Sequence, residues 1–118
     1  MTKFSPDPKP EGKPKPKKYG QKEMFLEIWN ERPQVSEISG KPLLPIGHIQ
    51  WHWQFMHILS KGNYPSMKLS KENIMLATPD EHNLQTVQPH KTRNDPDWKK
   101  FYDKQGELRT RYYNGNNK

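Results

Sequence analysis

Two histidines and an asparagine lie close together in the middle of the chain, within residues 55–82 (FMHILSKGNYPSMKLSKENIMLATPDEH). They are His57, Asn73 and His82. A neutral imidazole takes up a proton near pH 6.5 and is also a common metal ligand, so each histidine is a candidate for proton transfer or metal binding. The asparagine amide donates and accepts hydrogen bonds and is suited to holding a neighbouring group in place.

The residues that lead to His57 predict a strand. Apolar and polar residues alternate over 48–55 (HIQWHWQF), with the tryptophans and Phe55 on one side. Strict continuation of this alternation puts His57 on the apolar side, where a lone histidine is usually a hydrogen-bonded core group. A bend or bulge at Met56 would free the ring instead. Both alternatives are open from the sequence.

A loop, a second strand and a helix are predicted to follow. Glycine and proline are typical of a loop over 60–66, and the apolar run 74–76 indicates a short strand. Thr78 followed three residues later by Glu81 is a capping-box sequence, which predicts a helix start. The expected order is therefore strand, loop, strand and helix, with His82 near the start of the helix.

This order and spacing resemble the HNH, or ββα-metal, nuclease family. The step of nine residues from Asn73 to His82 fits the N-x8-H pattern of that family. The sequence segments WQFMHILSKGNYP and ENIMLATPDEH look like those of HNH proteins of phages and prophages, including the NinG/Rap recombination type. The likeness runs from about Trp29 to His82 and is weaker from there to about Tyr113. It implies an α+β fold, in which flanking helices surround a small ββα-metal core with an antiparallel hairpin.

The resemblance also implies a role for each candidate residue. His57 takes the place of the general base that activates water, Asn73 the place that orients this histidine, and His82 a metal-binding place. The implied cofactor is a divalent metal, Mg²⁺ or Mn²⁺, and the implied reaction is hydrolysis of DNA phosphodiester bonds. Other ligands of the metal would come from neighbouring groups: Glu81, His90, His52 or a DNA phosphate.

Two residues depart from the family pattern. Met56 precedes the expected base, where relatives often carry a metal-binding Asp or His, and Thr86 stands four residues after His82 in another ligand place. A thioether is a soft ligand that does not suit Mg²⁺ or Mn²⁺. Two interpretations are therefore open. One is an active endonuclease of phage DNA recombination or processing, and the other is an inactive HNH-like module that binds DNA or a protein.

The segment 35–43 (VSEISGKPL) matches in outline the C-x-x-C-G-K-P-L knuckle that binds structural zinc in many HNH proteins. Ser36 and Ser39 stand in the first pair of cysteine places, and Thr78 and Glu81 stand in the second pair. Serine hydroxyls are poor zinc ligands, and the chain contains no cysteine. The sequence therefore predicts that structural zinc is absent and that the capping box holds the helix start instead.

A net charge of +7 over 118 residues makes a polyanion the expected partner. No segment approaches the roughly 18 apolar residues of a membrane span, and the family resemblance implies the cytoplasm of a bacterial host. A solvated charged surface is the alternative interpretation of the lysines. The candidate DNA contacts are Lys61, Lys68, Lys71, Lys99, Lys100 and Lys104.

The chain divides into three parts. Residues 1–20 are rich in proline and lysine and predict a disordered basic arm, which is either a non-specific phosphate-binding tail or a solubilising leader. Residues 21–113 form one small domain, with amphipathic helices expected over 21–31 and from residue 95 onward. Residues 114–118 are expected to be a polar tail.

Overall fold

This computed structural model describes residues 19–116, so all but the last two residues of the predicted basic arm lie outside it. The fold is α+β, as predicted. Its helices and strands in chain order are α1 (Gln21–Glu31), β1 (Phe55–His57), β2 (Ile74–Leu76), α2 (Pro79–Val87), α3 (Pro89–Arg93) and α4 (Lys99–Asn116). Short 3-10 helices occupy Trp51–Gln54, Pro65–Met67, Lys71–Asn73 and Pro96–Trp98.

The two strands form an antiparallel hairpin that lies between α1 and α4. Because strand side chains alternate between faces, the hairpin presents two apolar surfaces. Phe55, Ile74 and Leu76 face α1, whereas Met56 and Met75 face α4. The paired residues are Phe55 with Leu76, Met56 with Met75 and His57 with Ile74.

Helix α1 spans Gln21–Glu31, which confirms the predicted helix. Its buried residues recur at helical spacing, and Phe25 stacks on Phe55 with ring centroids 4.1 Å apart. Burying one such side chain stabilises the fold by about 1.5–3 kcal/mol. The residues of α1 that pack on the hairpin are Met24, Phe25, Ile28 and Trp29.

Helix α4 packs on the opposite face through Phe101 and Leu108, next to Trp98 of the preceding 3-10 helix. Asp95 is a cap, as predicted, because its carboxylate accepts a hydrogen bond from the Asp97 amide at 2.9 Å, but it caps the 3-10 helix Pro96–Trp98, and α4 begins at Lys99. The helix continues to residue 116, beyond the expected end at 113. No helix within residues 19–116 is both long enough and apolar enough to cross a membrane.

The predicted strand over 48–55 is wrong except for its last residue, because Trp51–Gln54 is a 3-10 helix preceded by turns. Ile49 is 85% exposed, whereas Gln54 is fully buried, which is the reverse of the expected alternation. The Gln54 side chain accepts a hydrogen bond from the Leu44 amide at 2.7 Å and donates one to the Leu44 carbonyl at 3.1 Å. The side chain therefore satisfies the backbone groups of Leu44, as a neighbouring strand would do. The apolar alternation alone does not reveal this contact.

Side chains and backbone of the segment after α1 close the outer edge of β2. Arg32 donates to the Ile74 carbonyl at 2.6 Å. The Glu37 carboxylate accepts from the Leu76 amide at 2.9 Å, and the Glu37 amide donates to the Leu76 carbonyl at 2.7 Å. Satisfying these groups protects a strand edge that would otherwise pair with another chain.

Candidate functional site

His57 and His82 line the same open groove, whose volume is about 570 Å³. His57 is the last residue of β1, and His82 is the fourth residue of α2. His52, Trp53 and Lys61 also line the groove. The hairpin and the helix that follows it therefore bring two of the three candidate residues to one place, as the sequence predicts.

His57 lies on the α1 side of the hairpin, where its ring centroid is 6.5 Å from that of Phe25. The strand needs no bulge at Met56, because the pairing with Met75 is regular. Strict alternation therefore holds from Phe55 to His57, and no bulge is present at Met56. The ring is nevertheless only half-buried, because His57 ends the strand at the point where the groove opens.

One ring nitrogen of His57 is held by the backbone. Its Nε2 lies 3.3 Å from the Lys68 carbonyl oxygen. A carbonyl only accepts hydrogen bonds, so this contact places the proton on Nε2 and leaves a lone pair on Nδ1. Burial lowers the pKa of His57, and the charge of Lys61 lowers it further, against the opposing effect of the Lys68 carbonyl. The ring is therefore neutral at pH 7, which is the form that accepts a proton.

His82 has the complementary arrangement. Its Nδ1 lies 2.6 Å from the Trp53 carbonyl oxygen, and its ring stacks on the Trp53 indole with centroids 4.3 Å apart. The same reasoning places the proton on Nδ1 and the lone pair on Nε2. Burial lowers the pKa of His82, which keeps the ring neutral. Metal-binding histidines commonly donate the other ring N–H to a carbonyl in this way.

Trp53 is a site residue that the sequence interpretation missed. It orients His82 twice, through its carbonyl oxygen and through the face of its indole. The expected strand over 48–55 assigned its side chain to the apolar core, whereas the indole is 39% exposed. A 3-10 helix that packs against α2 brings it to the histidine, and no signal in the sequence indicates this contact.

Asn73 is fully buried and forms hydrogen bonds only with backbone groups of the loop. Its Oδ1 accepts from the Leu59 amide at 2.7 Å, and its Nδ2 donates to the carbonyls of Leu59 at 2.9 Å and Met67 at 3.2 Å. The orienting role implied for Asn73 is therefore corrected to an indirect one. It fixes the loop that carries the Lys68 carbonyl, and that carbonyl contacts His57.

The structure does not bring Glu81 or His90 to His82 as further metal ligands. The Glu81 side chain is turned away from the groove. Its Oε1 accepts hydrogen bonds from the Ser36 hydroxyl at 2.6 Å and from the Thr78 amide at 2.8 Å. His90 is exposed in α3, outside the lining of the groove. Within residues 19–116, no three His, Cys, Asp or Glu side chains form a group arranged to hold a metal ion. Both assignments came from position along the chain, which does not say which way a side chain faces.

The predicted capping box is confirmed. The Thr78 hydroxyl accepts from the Glu81 amide at 3.2 Å, and the Glu81 carboxylate accepts from the Thr78 amide in return. The network extends further, because the buried Ser36 hydroxyl accepts from the amides of Ile38 and Ser39 at 3.0 and 3.1 Å. Burial alone would raise the pKa of Glu81, but hydrogen bonds from Ser36, Ser39 and Thr78 outweigh it and lower the pKa. The carboxylate is therefore held charged in this network.

Removing the Ser36 hydroxyl should destabilise the domain. Ser36→Ala leaves the Glu81 carboxylate with one donor fewer and deprives two amides of their acceptor, so we expect the free energy of unfolding to fall by about 1–3 kcal/mol. Ser66→Ala, at an exposed position of the 3-10 helix Pro65–Met67, is the matched control and should leave the melting temperature unchanged. Because the sequence predicts that structural zinc is absent, the melting temperature of the domain should also be insensitive to chelators. Tightly bound stoichiometric zinc, lost together with the fold on chelation, would contradict the expectation of a zinc-free domain.

The candidate DNA-binding lysines divide between the groove and other surfaces. Lys61 lines the groove, and Lys68 lies in the neighbouring loop. Lys71 instead forms ion pairs with Glu27 and Glu31 of α1, at 3.4 and 2.8 Å. The Lys71 ammonium therefore already has carboxylate partners, and its contact with DNA stays a prediction.

The lysines of α4 lie away from the groove. Lys99 pairs with Asp103 at 2.7 Å, and Lys104 lies 3.4 Å from Glu72. Lys100 lines a different cavity, beside Arg32. None of the three lines the groove, and their role as DNA contacts stays a prediction for a separate face of the protein.

No protein-family model, curated protein or solved structure matches this chain.

Proposed function

We propose that this chain is a metal-dependent endonuclease that hydrolyses phosphodiester bonds in DNA. The observation that carries the proposal is the pair of neutral imidazoles in one groove, His57 and His82. Each has one ring nitrogen bound to a backbone carbonyl and the other available for chemistry. The resemblance of the segment from about Trp29 to His82 to the HNH family supplies the substrate class, and the net charge of +7 fits a polyanionic substrate.

In this proposal His57 is the general base. Its Nδ1 takes a proton from the water that attacks phosphorus, while the Lys68 carbonyl accepts from Nε2–H and stabilises the resulting imidazolium. The bond from phosphorus to the leaving oxygen then breaks, and that oxygen takes up a proton from a solvent water. Lys61 stands beside the ring in the groove without a carboxylate partner among residues 19–116, so it is suited to holding a phosphate oxygen.

His82 fits the role of a metal ligand through Nε2, because Nδ1–H is already held by the Trp53 carbonyl. A divalent cation bound there would stabilise the negative charge that develops on the phosphate. Water and phosphate oxygens complete the ligands of such cations in many sites. An imidazole nitrogen suits a transition-metal ion better than Mg²⁺, so Mn²⁺ is the first ion to test.

Substituting His82 should weaken metal binding without removing the base. We expect His82→Ala to need a much higher Mn²⁺ concentration for half-maximal cleavage, by roughly tenfold to a hundredfold, as seen when a metal site is disturbed. Cleavage should return partly at high Mn²⁺. His90→Ala is the control, because that exposed histidine lies outside the groove. An unchanged Mn²⁺ dependence in His82→Ala, or an equal shift in both variants, would remove His82 from the metal site.

The direct test of the proposed function is incubation of the purified protein with supercoiled plasmid in the presence of Mg²⁺, Mn²⁺ or EDTA. We expect nicked or linear products with a divalent ion and none with EDTA. His57→Ala, purified in the same way, controls for contaminating nucleases. Cleavage of equal rate by wild type and by this variant would refute the proposed mechanism.

A second candidate function is a module that binds DNA without cutting it. The observation in its favour is Met56, which occupies a place where the resemblance implies a metal ligand but is fully buried in the core. DNA binding without cleavage under any of the metal conditions would select this alternative.

A further inference from the structure

A second, smaller cavity of about 250 Å³ adjoins His57. It lies between the loop after β1, helix α2 and helix α4, and His57 lines both this cavity and the groove. Amide, hydroxyl and guanidinium groups supply much of its lining. These groups belong to Asn63, Tyr64, Gln85, Gln105 and Arg109.

Helix α4 is fixed against the site at this point. The Gln105 side chain donates a hydrogen bond to the carbonyl of Ile58, the residue after His57, at 3.1 Å. Arg109 follows one helical turn later, so it lies on the same face of α4. The contact at Gln105 thereby holds the Arg109 guanidinium at the cavity beside His57.

The charge of Arg109 is not neutralised by a carboxylate among residues 19–116. Arg111, two residues later, forms ion pairs with Glu72 at 2.8 Å and with Glu107 at 2.6 Å. Arg109 instead shares the cavity with Tyr64, and Tyr113 and Arg109 lower the pKa of the Tyr64 hydroxyl. A guanidinium has five N–H donors, so several remain available for an anion.

We propose, on the basis of the proposed function, that this cavity binds a phosphate of the DNA strand adjacent to the phosphate at His57, with Arg109 as the principal contact. The guanidinium presents a fork of donors that matches two phosphate oxygens, and the Gln85 amide adds a neutral donor. Lys61 in the groove and Arg109 in the cavity then stand on two sides of His57. Arg109 is thus a positioning residue, which holds the strand across the imidazole.

The test compares Arg109→Gln with Arg111→Gln, which remove the same charge from the same helix. Binding of a short fluorescent DNA duplex is measured by anisotropy over a series of salt concentrations, in EDTA so that no cleavage occurs. We expect Arg109→Gln to weaken binding by about 5- to 10-fold and to reduce the slope of log K against log salt by about 1. Arg111→Gln should weaken binding by less than about 2-fold. Arg109→Lys should keep the slope but regain only part of the affinity.

Equal weakening by the two glutamine variants would overturn the inference, because it would reflect net charge alone. Unchanged binding in Arg109→Gln would also overturn it. The outcome is separable from that of the proposed function, since the binding assay needs no metal. A wild-type protein that fails to cut plasmid but shows the difference between the variants supports the phosphate site and refutes the nuclease. Cleavage by wild type together with equal binding of the two variants supports the nuclease and refutes the phosphate site.

Discussion

His57→Ala should slow DNA cleavage by roughly 10²- to 10⁴-fold, the usual contribution of a positioned general base. The loss should appear in kcat, whereas DNA affinity and the Mn²⁺ dependence should change little. The reason is that Nδ1 of His57 has the available lone pair, while Nε2–H is committed to the Lys68 carbonyl. Cleavage is measured with plasmid at saturating Mn²⁺, and melting is followed by circular dichroism on the same preparations.

His48→Ala is the matched control, since His48 is exposed and lies outside the groove. It should retain wild-type activity. Full activity in His57→Ala would exclude the base role. A loss of activity that is matched by an equal loss of folded protein would instead identify His57 as a core residue.

The pH dependence of cleavage follows from the same ring. Burial lowers the pKa of His57, so the neutral form should persist below pH 6.5 and kcat/KM should begin to fall only as the pH drops through the lowered value. The folded state binds the proton less readily than the unfolded state, so stability should also decline as the pH falls below about 6.5. An acidic limb of kcat/KM centred above pH 6.5 would contradict a neutral, partly buried base.

Local signals in the sequence predicted the parts of the fold that depend on neighbouring residues. The helical spacing from Met24 to Trp29 identified α1, and the Thr78–Glu81 pair identified the start of α2. These succeed because the interactions that stabilise them lie within a few residues. The apolar run 74–76 likewise became β2.

The part of the fold that was predicted wrongly, the strand over 48–55, depends on contacts between distant segments. Tryptophans and polar residues alternate before Phe55, but the Gln54 amide is used to satisfy the backbone at Leu44, which converts most of the expected strand into a 3-10 helix. Periodicity describes side-chain faces and does not record such a contact. The contact of Trp53 with His82 was hidden for the same reason.

The sequence predicted the order of the candidate site residues along the chain, but it did not predict which way their side chains face. His57 and His82 share a groove because the hairpin and α2 follow each other directly. Glu81, adjacent to His82, faces the Ser36 hydroxyl instead. The cavity that Arg109 shares with His57 was not predicted, because the position of Arg109 depends on how α4 packs across the hairpin.

Asn73→Ala should cost the domain about 2–4 kcal/mol of unfolding free energy, although Asn73 lies outside the lining of the groove. The substitution leaves the amide and carbonyl of Leu59 without their partner at a position that is fully buried, and the Met67 carbonyl keeps only its hydrogen bond from the Ser70 amide. The loop that carries the Lys68 carbonyl should loosen, so cleavage should also fall, by less than in His57→Ala. Chemical denaturation and plasmid cleavage measure the two effects.

Asn83→Ala makes the same truncation at an exposed position of α2 and should change stability by less than about 0.5 kcal/mol. Hydrogen exchange adds a local measurement, because the Leu59 amide donates to Asn73 and should exchange much faster in Asn73→Ala. If stability and the protection of Leu59 stay at wild-type values while cleavage is lost, Asn73 acts on the histidine directly. The indirect role through the loop would then be wrong, because removing the buried Asn73 side chain should expose the Leu59 N–H to exchange.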